Sequence, residues 1–390
     1  MFVINSLGAG GAEQSLAEML PVLEERGLQT SVVCLHRRSE GAQPSVEAGG
    51  FDLTFLRSTG WLSRLHELRS LIKSQQPDVV HTAIFEADLL GRGASLGLPC
   101  QVVTSLVNTT YDKARLGDPN VTRWKLRAAQ TVDSLTARML TDHFHALTRA
   151  VADSSAAALA VSPRLITVVP RGRSLMRLGV PSVSRRRRVR ARLGIQPDSL
   201  VVLNVGRQEY QKGHRHLIDA FEEVAPEFPK AVLVQAGRSG HASSEISAAL
   251  DRSRHRSRIE VLGHRDDVPD LMSAADVFAF PSLYEGLGGV LIEAMALGLP
   301  IVATRIPAVE EVLEDEGNAL LVPPADATAM ASALRRLLGD AATRHRFGVR
   351  SQVIFGRHFG LDASVDGMMS MYESVVLRRK SRWASDARQR

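Results

Sequence analysis

Two glutamates bracket a glycine-rich turn in the segment with the clearest chemical pattern. An apolar run ending at Pro281-Ser282 leads into residues 284–300, which read YEGLGGVLIEAMALGLP. Glycines at a strand-to-helix turn leave backbone amides free and let an anion approach closely. Glu285 and Glu293 are poor phosphate ligands but good acceptors from hydroxyls. The pattern predicts a ligand in which phosphate joins hydroxyl-bearing groups; the alternative is glycines that serve packing and glutamates that are solvated.

A second cluster follows the predicted strand that ends at Val205, where residues 206–213 read GRQEYQKG. The guanidinium of Arg207 can fork two phosphate oxygens and Lys212 can add a point charge, so together they could stabilise a departing diphosphate. The N-terminal turn 8–13, GAGGAE, also places flexible backbone at the end of a strand. The three turns together predict a site for a diphosphate.

The elements that must position these turns alternate along the chain. Short β-branched runs alternate with amphipathic stretches from residue 2 to residue 169, and a second such series begins at Leu200 and continues to Ala303. This rhythm predicts parallel sheets and two doubly wound α/β domains that face each other across a cleft holding the ligand. The polar segment 109–135 is predicted to be either a helical insertion or a mobile loop.

The length of 390 residues also favours two domains, because a single core rarely grows beyond roughly 250–300 residues. We predict an N-terminal domain over 1–171, an arginine-rich linker over 172–198 and a C-terminal domain over 199–357. Apolar residues recur at helical spacing towards the end, so a helix is predicted over about 358–378. The last residues, 379–390, are expected to form a disordered tail.

The net charge of +6 and pI near 9.7 favour an anionic partner. The run Arg185–Arg188 could contact a membrane or nucleic acid, but it lacks aromatic residues for stacking bases; the alternative is a solvated linker. No apolar run approaches the ~20 residues of a membrane-spanning helix, and the N-terminus lacks the pattern of a secretory signal. Cys34 and Cys100 are predicted to be buried thiols of a cytoplasmic protein.

These motifs resemble those of glycosyltransferase family 4, which is retaining and has the GT-B fold. The resemblance covers nearly the whole chain. Glu285 and Glu293 match the E-x7-E motif, within the family-like run PSLYEG at 281–286, and Gly206-Arg207, Lys212-Gly213 and the Gly8–Gly11 loop match as well. The joint match is highly specific, whereas an arginine and a lysine five residues apart would be weak evidence alone.

The resemblance implies roles for individual residues. Arg207 and Lys212 would hold the diphosphate of a nucleoside diphosphate sugar, and Glu285 would contact the transferred sugar. It also implies that the last helix crosses back to the N-terminal domain and that no metal or other cofactor is required. The catalytic residues would be Glu285, Arg207 and Lys212, and the donor-binding residues Glu293 at the ribose, Gly286, Leu287, Gly288, Gly10, Gly11 and His264 at the base.

Two positions depart from the family pattern. Many members carry a histidine after the strand that is here Val102–Thr104, where this chain offers Asn108 as a substitute, and the usual Pro-Asn-Gly is here Pro170-Arg171-Gly172. His81 could line the cleft or could be a hydrogen-bonded structural residue. His143 and His145 share a strand face, as metal ligands do, but no further ligand has matching spacing. We therefore expect no metal site.

The resemblance favours transfer to a lipid-linked or saccharide acceptor in cell-surface polysaccharide or glycolipid synthesis. Such an acceptor would suit peripheral contact with an anionic membrane at its inner face, and nucleic acid is not an expected partner. Two alternatives remain open at this point. One is a nucleotide-sugar 2-epimerase of the same fold, and the other is a non-catalytic protein that binds an anionic polymer through the arginine run.

Overall fold

The structure, a computed structural model, describes residues 1–38 and 40–388 and divides into two compact units. Unit 1 comprises Met1–Asp112, Thr122–Arg173 and the segment from Leu361 onward. Unit 2 comprises Lys113–Val121 and Ser174–Gly360. None of the helices in the described part of the chain combines the length and apolarity that a membrane-spanning segment needs.

Unit 1 contains a seven-stranded parallel sheet with the order β3-β2-β1-β4-β5-β6-β7. Its strands are short apolar runs that helices cover, as parallel sheets require. The order reverses between β1 and β4, which is the crevice where doubly wound folds bind ligands. The strands are β1 Phe2–Ile4, β2 Ser31–Cys34, β3 Asp52–Phe55, β4 Val79–Ala83, β5 Gln101–Leu106, β6 His143–Ala146 and β7 Ile166–Val168; the helices before unit 2 are α1 Gly11–Glu25, α2 Gln43–Ala48, α3 Trp61–Gln75, α4 Phe85–Ser95, α5 Arg123–Leu140 and α6 Arg149–Leu159.

Unit 2 repeats this plan with a six-stranded parallel sheet of order β10-β9-β8-β11-β12-β13. Its order reverses between β8 and β11. The strands are β8 Leu200–Val205, β9 Ala231–Ala236, β10 Ile259–Val261, β11 Val277–Phe280, β12 Ile301–Thr304 and β13 Ala319–Val322; the helices are α7 Leu175–Leu178, α8 Val183–Arg192, α9 His214–Val224, α10 Ser243–Arg252, α11 Val268–Ala274, α12 Gly289–Ala296, α13 Pro307–Glu310, α14 Ala327–Gly339 and α15 Ala341–His358. The prediction of two doubly wound α/β domains is confirmed.

The last helix, α16, spans Leu361–Arg388 and belongs to unit 1. Val365, Met368 and Tyr372 are buried in the same apolar cluster as residues of α1 and β1. The return of the chain to the N-terminal unit is therefore confirmed. Helix α16 ends at Arg388, beyond residue 378, where the prediction ended the helix and began a tail. Residues 389 and 390 lie outside the described residues.

Segment 109–135 is largely helical, in agreement with the prediction of a helical insertion and not with that of a mobile loop. A 3-10 turn spans Lys113–Gly117, and α5 begins at Arg123.

The two cysteines, Cys34 and Cys100, are buried free thiols, as predicted. Burial raises the pKa of Cys34 to about 12, so this thiol is unreactive at neutral pH.

The arginine run is not a linker but helix α8, whose arginines pair with aspartates of unit 2. Arg185 Nε lies 2.7 Å from Asp270 Oδ1, and Arg190 Nη2 lies 2.7 Å from Asp276 Oδ2. Arg186 also pairs with Asp276. The prediction of a linker over 172–198 missed these contacts, because the aspartates lie on or next to α11, far away in sequence.

We expect Arg190→Leu to destabilise the fold by about 3 kcal/mol. Arg190 is 2% exposed and also donates to the carbonyl oxygens of Ala274 and Ser199, at 3.0 and 2.8 Å. Its loss leaves those acceptors unpaired, although Asp276 keeps Arg186. Urea unfolding measures the change, with the exposed neighbour in Arg188→Leu as the control. Equal stability of the two variants would contradict a structural role for Arg190.

Candidate active site

The two predicted turns of unit 2 lie side by side because β8 and β11 are adjacent strands. The turn after β8 and the turn after β11 are joined by hydrogen bonds. Leu283 N donates to Gln211 O at 2.7 Å, and Gln211 Nε2 donates to Tyr284 O at 2.8 Å. A Cβ on Gly213, which has φ +61°, would lie 2.1 Å from Pro281 O. Only glycine permits this close approach, so Gly213 sets the spacing of the two turns.

Lys212 and Glu285 form an ion pair between these turns. Ser282 Oγ also donates to Glu285 Oε1, at 3.0 Å. The Glu285 side chain is 8% exposed and that of Lys212 is 19% exposed, so the pair is largely shielded from water. The cationic partner and the hydroxyl donor hold the carboxylate of Glu285 in one orientation, and its oxygens can accept further hydrogen bonds.

Arg207 differs from Lys212 because half of its side chain is exposed. Its guanidinium comes no closer than 3.9 Å to Glu209, which is a weak contact. A half-exposed guanidinium can rearrange around an incoming anion at little cost. The site therefore combines one fixed cation, Lys212, with one adaptable cation, Arg207.

The glycine turn before α12 leaves the N-terminus of that helix without a side-chain cap. Gly288 is the N-cap residue, at φ +76°, and it has no side chain that could accept a hydrogen bond from the helix. Leu291 N donates to Gly288 O at 2.8 Å, so the amides of Gly289 and Val290 are the ones that can meet an anion. Gly286 lies in the same turn, whereas the Leu287 side chain is 3% exposed and packs inward, which leaves only its backbone for a ligand.

Glu293 lies on α12, and its side chain is 12% exposed. Arg177 Nη2 lies 3.4 Å from Glu293 Oε1, a contact that the sequence did not reveal. His264 follows β10, and its Nε2 lies 3.2 Å from Asp266 Oδ1. Its neighbour Gly263 accepts a hydrogen bond from Gly237 N at 2.7 Å, and Gly237 packs against Gly206 of the turn after β8. The structure thus brings Glu285, Lys212 and the α12 turn together, with His264 on the adjoining turn after β10.

His214 is a site residue that the sequence analysis missed. Its Nε2 lies 2.9 Å from Arg207 O, and the ring is 3% exposed. Burial lowers the pKa of His214 to about 4, so the neutral ring donates to this carbonyl at neutral pH. His214 therefore fixes the backbone that carries Arg207. The sequence feature that could have identified His214 is its position directly after Lys212-Gly213.

Acid is expected to destabilise the protein partly through His214. An unfolded histidine titrates near pH 6.5, so between about pH 6.5 and 4 the unfolded chain binds a proton that folded His214 does not bind. Its contribution to stability is complete above that window and falls by about 1.4 kcal/mol per pH unit within it. Urea unfolding of wild type and His214→Gln over pH 4.5–7.5 should give a shallower slope for the variant below about pH 6.5. Parallel curves throughout would contradict this role.

In unit 1, the turn before α1 holds Gly10 and Gly11, and Gly10 caps α1 without a side-chain hydrogen bond. The Glu13 carboxylate lies against Gly10, and Arg171 lies beside Gly11. Burial lowers the pKa of Arg171 to about 9. Asn108 Oδ1 accepts from the amide of Thr109 at 2.8 Å, so it shapes its own loop.

His81 takes the structural alternative that the sequence left open. Its Nδ1 lies 2.6 Å from the hydroxyl of Tyr372 and its Nε2 lies 2.8 Å from Ser105 Oγ. Ser105 in turn contacts His145 Nδ1 at 2.9 Å. His81 thereby links α16 to the sheet through a buried chain of hydrogen bonds, and burial lowers its pKa well below the ordinary value.

The paired histidines of β6 also have other partners. His145 Nε2 contacts Val169 O at 2.9 Å, and His143 Nε2 contacts Thr167 Oγ1 at 2.7 Å. Among the described residues, no three His, Cys, Asp or Glu side chains are grouped as metal ligands would be. Burial lowers the pKa of both histidines to about 4, so both are neutral at physiological pH.

Comparison with known families gives a match for each unit. The "Glycosyl transferase 4-like domain" model matches residues 10–172, and the "Glycosyl transferases group 1" model matches residues 199–340. Between them the two models match most of the chain. Their boundary falls in the stretch that contains α7 and α8.

Among curated proteins, the chain is similar to the UDP-Gal:alpha-D-GlcNAc-diphosphoundecaprenol alpha-1,3-galactosyltransferase of Escherichia coli. The two are 26% identical over 325 residues, which cover 82% of this chain and 81% of the relative. It is also similar to the D-inositol 3-phosphate glycosyltransferase of Xylanimonas cellulosilytica, at 33% identity over 222 residues. That alignment covers 56% of this chain and only 53% of the relative.

Solved structures show the same fold. Anabaena Alr3699/HepE in complex with UDP and glucose has a TM-score of 0.81 at 21% identity, over 96% of this chain and 99% of that chain. Sucrose-phosphate synthase from Thermosynechococcus elongatus also has a TM-score of 0.81, at 20% identity, over 97% and 99% of the two chains. With two parallel-sheet units, a glycosyltransferase domain in each and the motifs of unit 2 assembled at its crevice, the chain is a glycosyltransferase of the GT-B fold.

Proposed function

We propose that this glycosyltransferase moves a sugar from a nucleoside diphosphate sugar to an acceptor hydroxyl, with retention at the anomeric carbon and without a metal. The observation that carries the proposal is the buried pair of Lys212 and Glu285 beside the uncapped N-terminus of α12. A cation and free amides suit a diphosphate, whereas a fixed carboxylate suits sugar hydroxyls. Assignment to family 4 remains part of this proposal.

Lys212 and Arg207 would bind the diphosphate and neutralise the charge that develops on it as the bond from the anomeric carbon to the phosphate oxygen breaks. The acceptor oxygen would attack from the same face, and its proton would pass to the departing phosphate. Charge stabilisation by preorganised groups commonly supplies the largest share of such a rate enhancement. This distribution of charge is also why we propose that no divalent ion is needed.

Glu285 would accept hydrogen bonds from the transferred sugar, and Glu293 from the ribose. A ribose at this position would share the Glu293 carboxylate with Arg177, whose Nη2 lies 3.4 Å from it. The amides at Gly286, Leu287 and Gly288 would face the sugar and phosphate. We include Gly10, Gly11 and His264 as further donor contacts on the strength of the family resemblance.

For the substrates, we propose a UDP-sugar donor and a lipid-linked or saccharide acceptor. The Escherichia coli relative is named for UDP-Gal and for a diphosphoundecaprenol acceptor. The HepE structure contains UDP and glucose. A relative in Rhizobium meliloti is named for lipopolysaccharide core biosynthesis. We further propose that the protein works in the cytoplasm, in peripheral contact with an anionic membrane that carries the acceptor.

The alternative of an anionic-polymer-binding protein loses its main support. It rested on the arginine run, yet Arg185, Arg186 and Arg190 are engaged by aspartates. The epimerase alternative predicts that a nucleotide sugar is converted to its 2-epimer without an acceptor, which product analysis would detect directly.

Thermal-shift measurements test the donor proposal. Purified protein is heated with UDP, GDP, ADP or dTDP and their sugars, with and without a chelator. A ligand at 100 times its Kd stabilises the folded state by about 2.7 kcal/mol. We expect UDP and UDP-sugars to raise Tm equally with and without chelator. Stabilisation by none of the four, or only by a metal-bound nucleotide, would contradict the proposal.

A further inference from the structure

Helix α5 exposes a row of large apolar side chains. Trp124, Val132, Leu135 and Met139 are 68%, 46%, 52% and 77% exposed. At 3.6 residues per turn these four positions fall within an arc of about 80° and extend over roughly 22 Å of the helix. We call these four residues the outer stripe. A continuous apolar row of this kind, as opposed to scattered single residues, marks an interaction surface.

The opposite face of α5 is fixed to unit 1. Arg92 Nη1, on α4, lies 2.6 Å from Asp133 Oδ1, and this arginine is 1% exposed. Ser134 Oγ donates to Leu159 O at 2.7 Å, and Ala137 is fully buried. Since these anchors hold the helix from behind, α5 cannot roll the outer stripe into the core without breaking a buried ion pair.

Basic side chains flank the outer stripe on both sides. Arg123, Lys125, Arg127 and Arg138 are all exposed, and Lys125 Nζ lies 5.8 Å from the ring of Trp124. The one acidic residue of α5 is Asp133, on the buried face. An apolar stripe that includes tryptophan and is bordered by lysine and arginine is the pattern of a helix that lies in a membrane interface.

We propose that the outer stripe of α5 docks unit 1 onto the surface of an anionic lipid bilayer. The four cations would meet lipid phosphates while the apolar side chains enter the acyl boundary. This deepens the proposed function, and rests on it in one respect: a lipid-linked acceptor would be encountered at that surface. The binding itself is measured without turnover, so its failure and a failure of transferase activity are distinguishable.

Charge argues against the other occupant that the stripe could have, a second copy of this chain. Two copies meeting through the same face would bring eight exposed cations together, counting four from each α5. Like charges at that spacing repel, and no exposed acid on α5 offsets them. An anionic bilayer instead satisfies both the apolar and the basic side chains.

Vesicle flotation tests the proposal. The full chain is mixed with vesicles of phosphatidylcholine alone or of phosphatidylcholine with phosphatidylglycerol. We expect binding only to the anionic vesicles, weakened by salt. Leu135→Ser with Met139→Ser, and separately Arg127→Glu with Arg138→Glu, should each weaken binding about tenfold or more. These side chains are exposed, so the variants should fold. Leu62→Ser, at a leucine of α3 that is 65% exposed, is the matched control and should bind as wild type does.

Fluorescence gives a second readout: the emission of Trp124 should shift to the blue with anionic vesicles, and Trp124→Phe should abolish that shift. Three results would overturn the proposal. In the first, the protein binds neutral and anionic vesicles equally. In the second, the stripe variants bind anionic vesicles as well as wild type does. In the third, wild type binds no vesicle but sediments as a dimer that the stripe variants dissociate.

Discussion

Lys212→Ala is expected to lower kcat for sugar transfer by about 100- to 1,000-fold, since loss of one preorganised charge-stabilising group has that effect in other enzymes. Lys212 is the fixed cation of the site, held against Glu285 with only 19% of its side chain exposed. Its loss removes charge from the departing diphosphate and also leaves a buried carboxylate without its partner. Steady-state release of nucleoside diphosphate measures the effect.

The neighbouring glutamate provides a separable test. Glu285→Gln keeps the shape but removes the charge that orients Lys212, so we expect a comparable loss of kcat with the fold intact. Lys212→Met combined with Glu285→Gln should be more stable than Lys212→Ala, because it leaves no unpaired buried charge, yet equally inactive. Near-normal turnover by either single variant would contradict the assigned roles. Circular dichroism and the unfolding midpoint check that lost activity is not lost folding.

Gly213→Ala is expected to damage both the stability and the activity of the protein. A left-handed backbone costs a non-glycine residue about 1–2 kcal/mol, and here the added methyl would also meet Pro281 O at 2.1 Å. The two turns would have to separate, which pulls Lys212 away from Glu285. We expect a loss of stability well above 2 kcal/mol and loss of most transfer activity.

Gly194→Ala is the matched control for this prediction. Gly194 also has a positive φ, +68°, but a Cβ there would meet no other atom within 4 Å. Its variant should show only the cost of the left-handed backbone, about 1–2 kcal/mol, with normal turnover. Urea unfolding and an assay of nucleoside diphosphate release give both quantities. If the two variants behaved alike, the close approach to Pro281 would not matter.

The framework of the fold could be predicted from the sequence, and with it the adjacency of two motifs of the candidate site. Alternating short apolar runs and amphipathic stretches determine a doubly wound fold, and its topology requires the ends of β8 and β11 to be neighbours. The motifs that end these strands, 206–213 and 281–289, therefore had to meet. The ion pair of Lys212 with Glu285 follows from that topology, although its geometry does not.

Contacts over long sequence distances could not be read from local patterns. The arginines of α8 appeared as a charged linker because Asp270 and Asp276, which neutralise them, lie on a separate part of the chain. His81 appeared as a cleft candidate because its partner, Tyr372, lies 291 residues away. In both cases burial and pairing depend on tertiary packing, which the spacing of residues along the sequence does not reveal.

The outer stripe of α5 escaped the sequence analysis for a related reason. Residues 123–140 carry apolar side chains on two faces, and periodicity alone does not say which face packs inward. The buried pair of Arg92 and Asp133 resolves this, because it fixes the inner face. The remaining apolar residues are then left exposed among cations.

Retaining sugar transfer without a metal can be observed by proton NMR of the protein during turnover. Wild-type protein is incubated in chelator with the nucleotide sugar selected by thermal shift and a lipid-linked acceptor, and the anomeric proton signals are followed. We predict that donor is consumed with stoichiometric release of nucleoside diphosphate, and that the product signal has the anomeric configuration of the donor. Inverted product, loss of turnover in chelator, or epimerised donor without nucleoside diphosphate release would contradict the account.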